Sequence, residues 1–114
     1  VRLPQIVGLG NAMEMILSGD RVDAAHALRI GLVNRIYPLA ELVARSIEFA
    51  AVLASRAPLA QRYAKEVMRR APDMPVADAL KLESRSFYDL GRTEDIAEGT
   101  TAFREKRPAD FKGK

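Results

Sequence analysis

The chain has 114 residues, 48% hydrophobic and 29% charged, which suits one small domain or part of a larger one. No apolar run approaches the roughly 18 residues of a membrane span, and the opening V-R-L-P-Q-I-V-G lacks a signal-peptide layout. The absence of cysteine excludes disulfides and thiolate chemistry and fits a reducing compartment such as the cytoplasm, while a net charge of +3 is too thinly spread for a typical nucleic-acid binder.

The chain opens at Val1, and Arg2-Leu3-Pro4 follows without a helix cap, as though a preceding element were missing. Residues 10–18 are predicted as a helix: Met13, Ile16 and Leu17 form an i, i+3, i+4 apolar face, and Gly19 suits a left-handed stop. Asp23 is a good N-cap for a short helix over 24–30, closed by Gly31. The run Leu32-Val33-Asn34-Arg35-Ile36-Tyr37 is β-rich and ends at Pro38, which predicts a short strand. Beyond Pro38 the pattern turns helical. Residues 40–56 carry Leu42, Val43, Ile47, Ala50 and Leu53 on one stripe, and Pro58 opens the next helix, 58–71. Pro72 and Pro75 mark a loop, and 76–90 is a further helix ending at Gly91. Thr93 caps a last helix with Glu94 and Asp95 in its first turn, Lys106 and Arg107 at its far end, and Pro108 as its stop.

Few residues qualify as a site. His26, the only histidine, has no nearby cysteine or paired carboxylate and reads as a solvated helix residue. Asp20 and Asp23 flank a turn, and Glu94, Asp95 and Glu98 crowd a helix start; capping and helix-dipole complementation explain both groups better than catalysis does. Gly8-Leu9-Gly10 lacks the further residues of a phosphate loop and reads as a break between helices. Residues 23–36 could open a helix-turn-helix, but its recognition helix would start near Leu32 and meet Val33, Ile36 and Pro38. The tail is the strongest candidate. Phe103 and Lys106 are three apart, a spacing that puts an aromatic ring and an ammonium on one helix face, able to stack an adenine and pair a phosphate. On spacing alone, a core Phe103 and a solvated Lys106 is the simpler reading.

Several segments together resemble the enoyl-CoA hydratase (crotonase) family. Leu3-Pro4-Gln5-Ile6-Val7-Gly8 and Ala12-Met13-Glu14-Met15-Ile16-Leu17-Ser18-Gly19-Asp20-Arg21-Val22 resemble its L-P-R-x-V-G…A-x-E-x-x-L-T-G-D-R-I. Ala25, Ala27, Gly31-Leu32-Val33-Asn34 and Pro38 resemble A-x-x-A-x-x-x-G-L-V-N-x-V-x-P, Glu41-Leu42 the helix opening after it, and Ala57-Pro58 with Lys65 the A-P…K of the next helix. Glu83, then Glu94-Asp95, Glu98-Gly99, Ala102-Phe103, Glu105-Lys106-Arg107 and Phe111 follow the family's C-terminal signature, with Pro108-Ala109 a small departure. Each motif is weak alone; their order over the whole chain is specific.

The resemblance implies a mainly α chain: residues 1–38 as the end of a crotonase-type ββα-spiral core, and 39–114 as a helical region that builds trimers, often paired into hexamers. It implies an acyl-CoA thioester as substrate and no metal or redox cofactor. The most hydratase-like reaction is reversible hydration of a trans-2-enoyl-CoA, as in fatty acid β-oxidation; other acyl-CoA reactions of the family (isomerase, hydrolase, decarboxylase) are the alternative. The family's two glutamates and oxyanion-hole donors fall before Arg2, so no catalytic residue is expected here. Phe103 and Lys106 fall on positions that contact CoA, often from a neighbouring subunit. A purely structural association module and a small nucleic-acid binder are the readings from other classes, and uncovered apolar helix faces are expected if the segment stands alone.

Overall fold

The computed structural model describes residues 1–114. They form seven α-helices and one 3-10 turn, with no strand. The chain divides into two compact units, 1–47 and 48–114. None of its helices is long and apolar enough to cross a membrane.

In the first unit, α1 (Arg2–Val7) packs against α2 (Leu9–Ser18). Pro4 is tolerated inside α1 because its missing N–H falls among the donors that a first turn leaves unpaired anyway. Gly8 divides the two helices with φ 80°, ψ 159°, a conformation open to glycine. Its N–H donates to the Pro4 carbonyl at 3.0 Å, and its own carbonyl accepts from Ala12 N–H at 3.1 Å, so one residue closes α1 and opens α2. Val7 and Ala12 are buried at this corner. The expected break at Gly8 is therefore present, whereas α1, which opens without a side-chain cap, had no signal in the sequence.

Helix α3 (Ala24–Arg29) starts at Asp23, whose carboxylate accepts the His26 N–H at 2.6 Å. Gly31 follows with φ 76°. The strand expected over 32–37 does not form. The N–H groups of Leu32 and Val33 both turn back to the Ala27 carbonyl, at 2.9 and 3.3 Å, and are spent on closing α3. A β-rich run needs a partner strand to complete its ladder, and none exists among these residues. No helix begins near Leu32 either, so the recognition helix of a helix-turn-helix is absent.

Helix α4 (Leu42–Ala54) carries its predicted apolar stripe yet buries no residue. In the second unit, α5 (Pro58–Arg70), with proline at its start, passes through a 3-10 turn (Ala71–Asp73) into α6 (Val76–Leu90). The small side chains Ala60, Ala64 and Ser86 lie where α5 and α6 face each other, and the Ser86 hydroxyl is satisfied by the Leu82 carbonyl at 2.8 Å. Helix α7 (Glu94–Glu105) and an extended tail complete the unit.

The core is small. Its buried apolar residues are Val7, Ala12, Ala27 and Ala102, and no large side chain is fully buried. Ile16, Leu17, Ile47 and Phe87 stand exposed instead. The exposed apolar faces expected for this segment are therefore present.

The Asp23 cap yields a direct check. Asp23→Ala should weaken α3 by about 1 kcal/mol, seen as roughly fivefold faster amide exchange at His26 and Ala27. Asp23→Asn, which keeps an acceptor, should stay near the native rate. Unchanged exchange in the alanine variant would show that the cap contributes nothing.

Candidate functional site

Helix α7 uses two of its faces for two purposes. Thr93 starts it, its Oγ1 accepting from Ile96 N–H at 3.3 Å while its hydroxyl donates to the Leu90 carbonyl at 2.7 Å. Residues 95, 98, 99 and 102 follow at i, i+3, i+4 and i+7, one face of the helix. The tail folds back onto that face.

Asp95 is 4% exposed. Its two carboxylate oxygens accept the N–H groups of Lys112 at 2.7 Å and Gly113 at 2.9 Å. Its own N–H donates to the Lys114 carbonyl at 3.2 Å. One turn on, Glu98 takes the Arg107 guanidinium in a two-pronged contact of 2.6 and 2.9 Å and also accepts Asp110 N–H at 2.9 Å. The hydrogen bonds from Arg107, then from Asp110 N–H, pull the Glu98 carboxyl from its ordinary 4.5 down to about 2. Glu98 and then Glu105, which accepts Arg107 Nε at 2.7 Å, push the guanidinium still higher.

Gly99 explains itself by contact. A Cβ there would stand 3.3 Å from the edge of the Phe111 ring, so the missing side chain makes room for that ring. Ala102, on the same face, is 2% exposed. At the far end Gly113, with φ 73°, lies so close to Pro58 that a Cβ would meet its ring at 3.1 Å. The clasp therefore ties α7, its tail and the start of α5 into one body.

The end of α7 is a Schellman closure. Lys106 N–H donates to the Phe103 carbonyl at 3.3 Å, and Arg107 N–H to the Ala102 carbonyl at 3.1 Å. Lys106 itself is left-handed, φ 52°, ψ 38°, where a residue with a Cβ costs about 1 kcal/mol. The helix stops here, two residues before Pro108. Lys106 thus lies one position past the helix, and the shared helix face expected for Phe103 and Lys106 ends before reaching it.

The other face of α7 presents Ile96, Thr100 and Phe103. They border an open apolar cleft of about 560 Å³ with Leu59, Phe87 and Phe111. Phe103 is 85% exposed, which overturns the reading of it as a core residue of this chain. His26 lies on α3 as expected but is half-buried and not fully solvated, with its Nδ1 2.9 Å from the Arg29 guanidinium. Asp20 accompanies Glu14, Asp23 and His26 around a shallow polar depression of the first unit. No group of three metal-ligating side chains is assembled. Capping and dipole effects account for Glu94, but Asp95 and Glu98 hold the tail. Spacing along α7 puts residues 95, 98, 99 and 102 on one face, but their partners lie nine to eighteen residues on, beyond any local signal.

The second unit is thus a set of helices closed by its own tail, with an open apolar cleft beside α7 and exposed apolar residues on its helices. The chain belongs to the enoyl-CoA hydratase/isomerase family, whose model matches residues 1–114. It is similar to the mitochondrial enoyl-CoA hydratase of Pongo abelii, 44% identical over 97% of this chain and 38% of that protein. The short-chain-enoyl-CoA hydratase of Clostridium acetobutylicum is 38% identical over 93% of this chain and 41% of its own length. The crystal structure of an enoyl-CoA hydratase from Bacillus anthracis superposes with a TM-score of 0.94 at 36% identity, covering 99% of this chain and 44% of that one. The chain thus spans less than half the length of these relatives, and its fold is that of the matching part.

The depressed Glu98 carboxyl fixes the sign of a pH effect. Between about pH 4.5 and 2 the unfolded chain binds the proton that folded Glu98 refuses, so stability rises with pH there. Glu98→Gln should be less stable than the native chain at pH 7, and the gap should close as pH falls through that window. A gap independent of pH would show that the charge of Glu98 does not hold the tail.

Proposed function

We propose that this chain is the C-terminal part of an enoyl-CoA hydratase, an enzyme that adds water reversibly to the double bond of a trans-2-enoyl-CoA to give the 3-hydroxyacyl-CoA. Its role there is to supply association surface and a contact to CoA through Phe103 and Lys106. The glutamates and the oxyanion donors lie outside residues 1–114, so the chain has no catalysis of its own. Residues 1–38 belong to the end of the spiral core and 39–114 to the helical region that assembles trimers or hexamers. The partners are the acyl-CoA substrate, further copies of the chain and the rest of the core; no cofactor, nucleic acid or membrane is involved. Fatty acid oxidation in the cytoplasm is the proposed setting.

The observation that carries the CoA contact is the exposure of Phe103. A ring 85% exposed at the edge of an apolar cleft is available for stacking. Lys106, the first residue past the helix, has no ion-pair partner within the chain, leaving its ammonium free for a phosphate. The hydratase reaction is supported by the names of the relatives. The family description covers isomerases as well, so another acyl-CoA reaction is the alternative.

The test is a titration of crotonyl-CoA into the chain, followed by calorimetry and by loss of the enoyl absorbance. Binding without turnover is expected, weakened roughly three- to tenfold in Lys106→Ala. Turnover would place catalytic groups within these residues. Equal affinity of the variant would remove Lys106 from the CoA contact.

A further inference from the structure

Lys106 is the one non-glycine residue of the chain with positive φ. Glycine closes a Schellman turn without strain; a lysine holds that conformation only where its surroundings fix it. The neighbours of Lys106 are tied down on both sides. Arg107 is gripped by Glu98 through two contacts of 2.6 and 2.9 Å and by Glu105 through one of 2.7 Å. The Glu98 carboxylate also holds Asp110 N–H, and Asp95 holds Lys112 and Gly113. Two adjacent cations are thereby given opposite fates. Arg107 is consumed by two carboxylates, while Lys106 has no ion-pair partner.

We infer that Glu98 and Arg107 are positioning residues for Lys106: their two-pronged contact holds the lysine in its left-handed turn and so aims a free ammonium at a phosphate of CoA. The inference rests on the reading of Phe103 and Lys106 as CoA contacts. Neither Glu98 nor Arg107 touches the ligand. Glu98 has a second effect, since by neutralising Arg107 it keeps the neighbouring guanidinium from drawing the phosphate away. Bidentate geometry is what an arginine supplies and a lysine cannot, so charge alone does not replace Arg107.

The experiment titrates coenzyme A into the chain and into Glu98→Gln, Arg107→Lys, Lys106→Ala and the two double variants with Lys106→Ala. The three-bond amide coupling of residue 106, read by NMR, reports its backbone conformation in parallel. Each contact variant should bind CoA roughly threefold more weakly, with the residue 106 coupling leaving its left-handed value. In the Lys106→Ala background the same substitutions should change affinity by less than about 1.5-fold, because the two act as one unit. Arg107→Lys keeps the charge and the Asp95 contacts, so it serves if Glu98→Gln loosens the whole tail. Failure of the chain to bind CoA, or native affinity in Lys106→Ala, would overturn the CoA reading and this inference with it. A Lys106 effect without an effect of the other two would overturn the positioning role alone. So would equal losses in both backgrounds, or a coupling unchanged by both contact variants.

Discussion

The second unit depends on a buried carboxylate. Asp95 has almost no exposure, and its charge is satisfied by main-chain N–H groups of the tail and not by a cation. A buried charge without such partners is costly, so the tail and the helix stabilise each other or neither does. With the tail in place, Phe111 lies over Gly99, Gly113 lies against Pro58, and the Glu98–Arg107 contact closes around the end of α7. With the tail released, Asp95 loses both of its N–H donors and Gly99 loses the Phe111 ring. The conformation of Lys106 and the wall of the cleft formed by Phe111 follow from the same clasp.

Helices were the legible part of this chain, because local rules decide them. Gly8, Gly19, Asp23, Pro58 and Thr93 each mark a boundary by chemistry confined to one or two turns, and each marks one in the structure. The run 32–37 shows the opposite case. Its composition favours extended backbone, but a strand is decided by a partner, and the amides that would build a ladder close α3 instead. The clasp was harder still to foresee. Glu98 and Arg107 are nine residues apart and Asp95 and Gly113 eighteen, distances at which no helical spacing rule applies. The acidic residues at the start of α7 had a sufficient local explanation, and that explanation concealed the second role of Asp95 and Glu98. The spacing of Phe103 and Lys106 suggested one helix face, but the helix ends at Glu105, and the exposure of the ring and the left-handed turn of the lysine come from packing and that ending.

The exposed apolar faces are the other main feature of the chain. Helix α4 forms an apolar stripe none of whose residues is buried, and Phe87 and Phe103 stand open beside the cleft. A sequence tuned for independence would place polar residues there. The Bacillus anthracis chain that superposes on this segment is more than twice as long. Rigidity at the clasp and exposure at the cleft are complementary: a contact offered to a partner or a ligand loses less entropy when the backbone presenting it is already held.

The account turns on whether the Asp95 carboxylate holds the tail in solution, and amide hydrogen exchange at Lys112 and Gly113 measures that most directly. Both lie next to the chain end, where free amides exchange at unprotected rates. The account predicts clear protection at both, lost together in Asp95→Ala. Exchange at unprotected rates in the native chain would contradict it and leave α7 without its clasp.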